Sequence, residues 1–334
     1  MAGSAHFITF FILSISVCAT QNLHIYPVGR CKVMHPVNVL SDYELLDYRI
    51  PEDRKHLLTA VKQILIPRAV GTIGHTQVRK YISNSLNKMG WSVKEDEYKV
   101  AGKVRFHNII AKLNANAERF LVLACHYDTK YHEYYTAKGA LDAVPCAMLL
   151  NMAHVLQDAL KPFRETKLSL MFIFFDGREP PRNWDQTDYR YGAHHLAGVW
   201  NRDGTLDKLD ILVELDKIGL AGSTFLSYYK DTSTWFYRFV SLEERLSKAN
   251  KLHCKKPKPY FEFNPKVSFI NHKSNYLPFL QQKVPILHLT PELYPHNEAN
   301  NEAIINYDAT EDISRIIRLF IMEYLLGGKK KMNV

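Results

Sequence analysis

Residues 171–197 read MFIFFDGREPPRNWDQTDYRYGAHHLA, and the fold follows from their opening third. An apolar run over residues 168–175 stops abruptly at Asp176, Gly177, Arg178 and Glu179. A continuous apolar run of this length is the pattern of a strand buried on both faces. Polar side chains at its carboxyl end stand where open α/β sheets bind their ligands. Two other segments have the same form. Residues 120–128, FLVLACHYD, end in His126 and Asp128; residues 209–216, LDILVELD, end in Asp216. Three strands that deliver carboxylates and an imidazole to one edge predict one acidic cleft suited to a metal.

Helical and strand periodicities alternate outside these runs. Helices are predicted over residues 43–65, 74–89, 144–160, 192–200, 235–248 and 308–326. Strands are predicted over 91–100, 104–113, 121–124, 167–175, 211–215 and 284–289. The alternation predicts an α/β three-layer sandwich: a central mixed, mostly parallel sheet flanked by helices. The chain has 334 residues, 46% of them hydrophobic, enough for a large core. It shows no repeat and no low-complexity linker. One domain over residues 20–334 is expected.

The formal net charge is +9. The basic residues are spread out, with small clusters at Lys255, Lys256 and Lys258 and at residues 329–331, and read as a solvated surface. No nucleic-acid motif is present. Residues 7–18 are apolar and precede Ala19 and Thr20, which reads as a signal peptide over residues 1–19. The block is short for a bilayer span, and no later segment is long enough. The expected location is secreted or the secretory-pathway lumen. Cys31, Cys125, Cys146 and Cys254 would remain, an even number compatible with disulfides there.

The residues at these strand ends resemble the glutaminyl-peptide cyclotransferases (glutaminyl cyclases), single-zinc relatives of the zinc-dependent exopeptidases. The resemblance is carried by Asn108 to Ile110, residues 121–130, residues 142–148, residues 174–177, Trp184, Tyr191 with Gly192, residues 195–197, 212–219, 277–280 and 284–289. It covers about residues 40–326. It implies a Zn2+ ion, peptide or protein N-termini as partners, and a monomer. It also implies a Cys125–Cys146 disulfide, which leaves Cys31 and Cys254.

The family converts an N-terminal glutamine to pyroglutamate with release of ammonia. Its zinc ligands are an Asp before a helix, a Glu after the Asp-Gly turn and a late His. Glu179 matches the Glu. Anchoring on residues 143–146 puts Leu141 in the Asp position; anchoring on Gly139 and Ala140 puts Asp142 there. The late His has no direct match, because Glu298 and Ala299 align with the family's Trp-His pair. His296, three residues earlier, could serve only if its loop rearranges. The proton-shuttling Glu is replaced by Arg178, a residue that stays protonated and cannot act as a base. Pairing of Arg178 with Glu179 or Asp216 would put it in the metal's place. Asn275 replaces a family Asp, Ser274 a second acid and Tyr276 a His. Asp216 matches a retained pocket Asp and Trp184 a rim aromatic.

His126 is expected to be a hydrogen-bonded core residue, with a relict His126–Asp142–Asp216 metal set as the lesser reading. His194, His195 and His288 are expected to be structural. The expected function is therefore a cyclotransferase-like protein with activity lost or very weak. The alternatives are an active zinc enzyme using His296 and a residual aminopeptidase.

Overall fold

A computed structural model describes residues 38–47, 52–100, 104–131, 138–179, 181, 190–255, 257–264, 274–292 and 302–330. Its strands are β1 (Ser92–Val100), β2 (Val104–Lys112), β3 (Arg119–His126), β4 (Leu168–Phe175), β5 (Leu209–Leu215), β6 (Phe225–Leu226), β7 (Phe261–Glu262) and β8 (Ile286–Leu289). Its α-helices are α1 (Asp42–Asp47), α2 (Arg54–Ile64), α3 (Ile73–Lys88), α4 (Ala140–Val155), α5 (Gln157–Leu160), α6 (Tyr191–Arg202), α7 (Ser233–Lys248), α8 (Leu277–Gln281) and α9 (Tyr307–Lys330).

Six strands form one sheet in the order β1-β2-β4-β3-β5-β8. The pairs β4–β3, β3–β5 and β5–β8 are parallel, while β1–β2 and β2–β4 are antiparallel. This is the expected mixed, mostly parallel sheet. The pleat explains why the central strands are apolar at every position. Leu121, Leu123, Leu170, Phe172 and Phe174 face a layer built from α2, α3, α4, α7 and α9. Val122, Ala124, Met171, Ile173 and Phe175 face Leu196, Trp200 and Phe279 of α6 and α8. Successive side chains go to opposite sides, so a strand covered on both faces needs no polar residue.

Two helices differ from their sequence expectation. In place of one helix over residues 43–65 there are α1 and α2, and α2 starts afresh where the Asp53 carboxylate accepts from His56 N at 2.9 Å. Helix α4 begins at Ala140 rather than at residue 144, because Gly139 turns the chain in a left-handed conformation. Asp142 therefore lies in the first turn of α4. Among the described residues no single helix is long and apolar enough to cross a membrane.

The parallel strands share one carboxyl edge. His126 closes β3, Asp176 follows β4 and Asp216 follows β5. The Asp176 backbone packs so closely on α6 that a Cβ on Gly192 would lie 2.2 Å from Asp176 O.

Candidate active site

The cleft at this edge is built from five pieces of chain. Arg68 is fully buried and clips two of them together: its guanidinium donates to the carbonyls of Tyr127, Lys138 and Gly139. That places the end of β3 against the start of α4. Cys125 and Cys146 form the expected disulfide between the same elements, with Cα atoms 5.8 Å apart. Cys254 carries no disulfide among the described residues, and Cys31 lies outside them.

The turn after β4 depends on Gly177, whose φ is +65° and whose Cβ position would lie 2.5 Å from Phe106 carbons. The turn is held by Asp176, which accepts from Gly177 N and His107 N and from His75 Nε2 at 2.8 Å. Glu179 N donates to Asp128 at 2.9 Å. The next two side chains are thereby aimed at the cleft.

Arg178 is buried and donates to Glu179 Oε1 at 2.6 Å. Its other terminal nitrogen is 3.6 Å from Asp216 Oδ2. Burial alone would weaken its charge, but Asp216 and Glu179 outweigh that and hold the guanidinium more firmly protonated than usual. On the far side, the Lys217 ammonium donates to Asp142. Asp142 is held well below the ordinary carboxylate range, against its burial, by Lys217 and His126. Asp216 is likewise lowered, against its burial, by Arg178 and Lys217.

His126 lies between these pairs. Its Nδ1 is 3.3 Å from Asp128, and its Nε2 is 3.3 Å from Asp142 and 4.0 Å from Asp216. Burial works against its proton, yet Asp142 and Asp128 raise its pKa to about 9. It is a buried, hydrogen-bonded histidine, as expected, and it also forms one group with Asp142 and Asp216 whose candidate ligand atoms all lie within 4.8 Å of one another.

The structure thus brings Asp142, Arg178, Glu179 and Asp216 together. It places the carboxylate of Asp142 in the cleft, while Leu141 is buried. Asn275 stands one layer below and donates its amide to Glu214 at 2.9 Å. Glu214 also accepts from the backbone of Asn275 and Tyr276, and burial and Asp216 raise its pKa. Trp184 and His296, with Glu298 and Ala299, lie outside the described residues. His195 stacks on Tyr98, and His288 is buried with its pKa pushed down to about 4.

Lys217, Glu214, Arg68 and His75 are not singled out from the sequence. Lys217 had one signal, a cation directly after the strand-end Asp. Glu214 had another, a carboxylate inside a buried apolar strand.

Residues 108–321 match peptidase family M28. The chain is 44% identical to glutaminyl-peptide cyclotransferase of Drosophila melanogaster, over 91% of this chain and 92% of that protein. The chain belongs to family M28 and, within it, to the glutaminyl-peptide cyclotransferases. The mouse glutaminyl-peptide cyclotransferase-like protein (Mus musculus) is 32% identical over 80% of this chain and 74% of its own. The crystal structure of the Macrostomum lignano glutaminyl cyclase superposes with a TM-score of 0.79 at 33% identity, covering 88% of this chain and 96% of that one. The M28 sheet and the cyclotransferase resemblance are therefore both established for this chain.

This membership raises the question whether the cleft fits the zinc ion that the resemblance implies. Two buried atoms favour an ion: His126 Nε2 and Asp216 Oδ1 have no hydrogen-bond partner. The rest of the donor set argues against one. Asp142 is engaged by Lys217 and Glu179 by Arg178. Among the described residues, the two donor atoms that no side-chain cation or hydrogen bond engages are fewer than the three protein ligands of a catalytic zinc. Each side-chain cation would also repel a divalent ion about 5 Å away by roughly 7 kcal/mol at an effective dielectric near 20. The residues described here do not fit zinc.

Proposed function

We propose that this chain keeps the pocket of a glutaminyl-peptide cyclotransferase, as a binder of peptide or protein N-termini, with its transfer step lost or very weak. In that step the α-amine of an N-terminal glutamine attacks the side-chain amide carbon, a C–N bond forms, and ammonia leaves. A proton must pass from the attacking amine to the departing nitrogen, and a base must carry it. The position expected to carry it holds Arg178, a permanent cation bound to Glu179 and placed beside Asp216. That arrangement is the observation on which the reading rests. Ammonia release from a Gln-initiated dipeptide tests it: the expected rate is close to the uncatalysed one, and brisk turnover would refute it. Retained pocket binding is checked by titrating a Gln-initiated peptide calorimetrically.

A second reading is an active cyclotransferase. The 44% identity to the Drosophila cyclotransferase and the juxtaposition of His126, Asp142 and Asp216 favour it. Turnover that a chelator abolishes would decide for it.

We also propose a secreted or lumenal location. The support is the apolar block at residues 7–18 and the Cys125–Cys146 disulfide, since such bridges persist in oxidising compartments. Fractionation of cells expressing the full chain, with the protein recovered from the medium or the secretory lumen, tests it.

A further inference from the structure

Four carboxylates converge on the carboxyl edge of the sheet: Asp128, Asp142, Glu179 and Asp216. Asp128 and Asp216 are buried, and Asp142 and Glu179 are only slightly exposed. So much buried negative charge needs a matching cation. Besides the His126 imidazole, which faces Asp128 and Asp142, two side-chain cations lie in the cleft, each on different acids. Arg178 takes Glu179 and Asp216, and Lys217 takes Asp142.

Neither cation is placed by chance of surface packing. The Arg178 and Lys217 side chains expose only 6% and 12% of their surface. Lys217 holds a φ of +54°, a left-handed conformation that non-glycine residues adopt rarely and at a cost. This turn comes directly after Asp216. Contacts at the ammonium keep it inward, although a free lysine would reach for water.

We propose that Arg178 and Lys217 together replace the divalent ion of the family as built-in cations, so that this chain folds and holds its cleft without a metal. Arg178 neutralises the acids at the ends of β4 and β5. Lys217 neutralises the acid at the start of α4. Removing one cation leaves its carboxylates with an unmet charge, which makes the remaining donors attractive to a metal. The proposal deepens the reading of lost turnover and rests on it for the chemistry of the cleft, but a metal measurement separates the two.

The test uses the purified full-length protein. It is incubated with zinc sulfate, freed of unbound metal by desalting, and its zinc content read by elemental mass spectrometry. Thermal midpoints are recorded with zinc and with EDTA. The wild type is expected to keep no zinc and to melt at the same temperature in both. The double variant Arg178→Glu/Lys217→Leu is expected to keep zinc, and to melt higher with zinc than with EDTA. Lys217→Met serves as a milder variant should the double variant not fold, and is expected to bind zinc more tightly than the wild type. Stoichiometric, EDTA-sensitive zinc in the wild type overturns the proposal. So does a folded variant whose zinc content equals that of the wild type. Metal-free wild type that nonetheless releases ammonia refutes the lost turnover and leaves the cation replacement standing; zinc-loaded wild type without ammonia release does the reverse.

Discussion

A terminal nitrogen of Arg178 stands 3.6 Å from Asp216 Oδ2, joining the turn after β4 to the end of β5 across β3. Both side chains are buried, so this relationship is far more than a surface pair. Removing one partner of a buried pair leaves an uncompensated charge.

Arg178→Ala is therefore expected to destabilise the fold by about 3 kcal/mol. The denaturant midpoint should fall with little change in slope, because the loss is local. An unchanged midpoint would mean that the Arg178 pairs contribute nothing.

Asn275 donates its amide to Glu214 at 2.9 Å. Asn275→Asp, which restores the family's acid, is expected to cost about 2 kcal/mol, because two buried carboxyl groups so close cannot both ionise. Glu214→Leu should relieve most of that cost. A double-mutant cycle in denaturant measures the coupling, and additive effects would show that the two residues do not interact.

His288 is fully buried and is kept neutral, with its pKa pushed down to about 4 by that burial. Unfolded, the imidazole takes a proton near pH 6.5. Between pH 6.5 and about 4 the unfolded chain therefore binds more protons, and stability falls as the pH drops through that window. The expected slope from this residue is roughly 1 kcal/mol per pH unit. Denaturation at a series of pH values should show a shallower acid loss in His288→Phe than in the wild type.

The Cys125–Cys146 bridge closes a loop with a sequence separation of 21 residues. Cys125→Ala/Cys146→Ala is expected to lower stability by about 3 kcal/mol through greater freedom of the unfolded chain. Calorimetric unfolding of the oxidised wild type and the double variant checks this.

Gly177 turns the chain at a φ of +65°, with Phe106 filling the space a side chain would need. Gly177→Ala combines backbone strain with overpacking and should cost on the order of 2 kcal/mol. A thermal midpoint close to that of the wild type would show that Phe106 can move aside.

The sheet was legible because burial on both faces leaves a plain mark, as in residues 168–175. The charge reversal at Arg178 was equally plain, since residue type alone decides whether a side chain can take a proton. The position of Asp142 was not legible. Two anchorings of one short loop put either Leu141 or Asp142 in the ligand position, and only the helix start at Ala140, set by Gly139, fixes which side chain enters the cleft. Lys217 escaped for a similar reason. A lysine after a strand usually faces water, and its inward course depends on a left-handed backbone that no local pattern in the sequence announces. Glu214 needed the partner donors of Asn275 and Tyr276, 61 and 62 residues away in sequence.

Arg68 holds the carbonyls of Tyr127, Lys138 and Gly139 in one grip. The two points where the chain leaves and re-enters the cleft floor are thus fixed to each other by a side chain from elsewhere. A clamp of this kind holds the end of β3 and the start of α4 at one fixed separation, so Asp128 and Asp142 keep to the same floor through a side chain that is not itself one of the cleft acids.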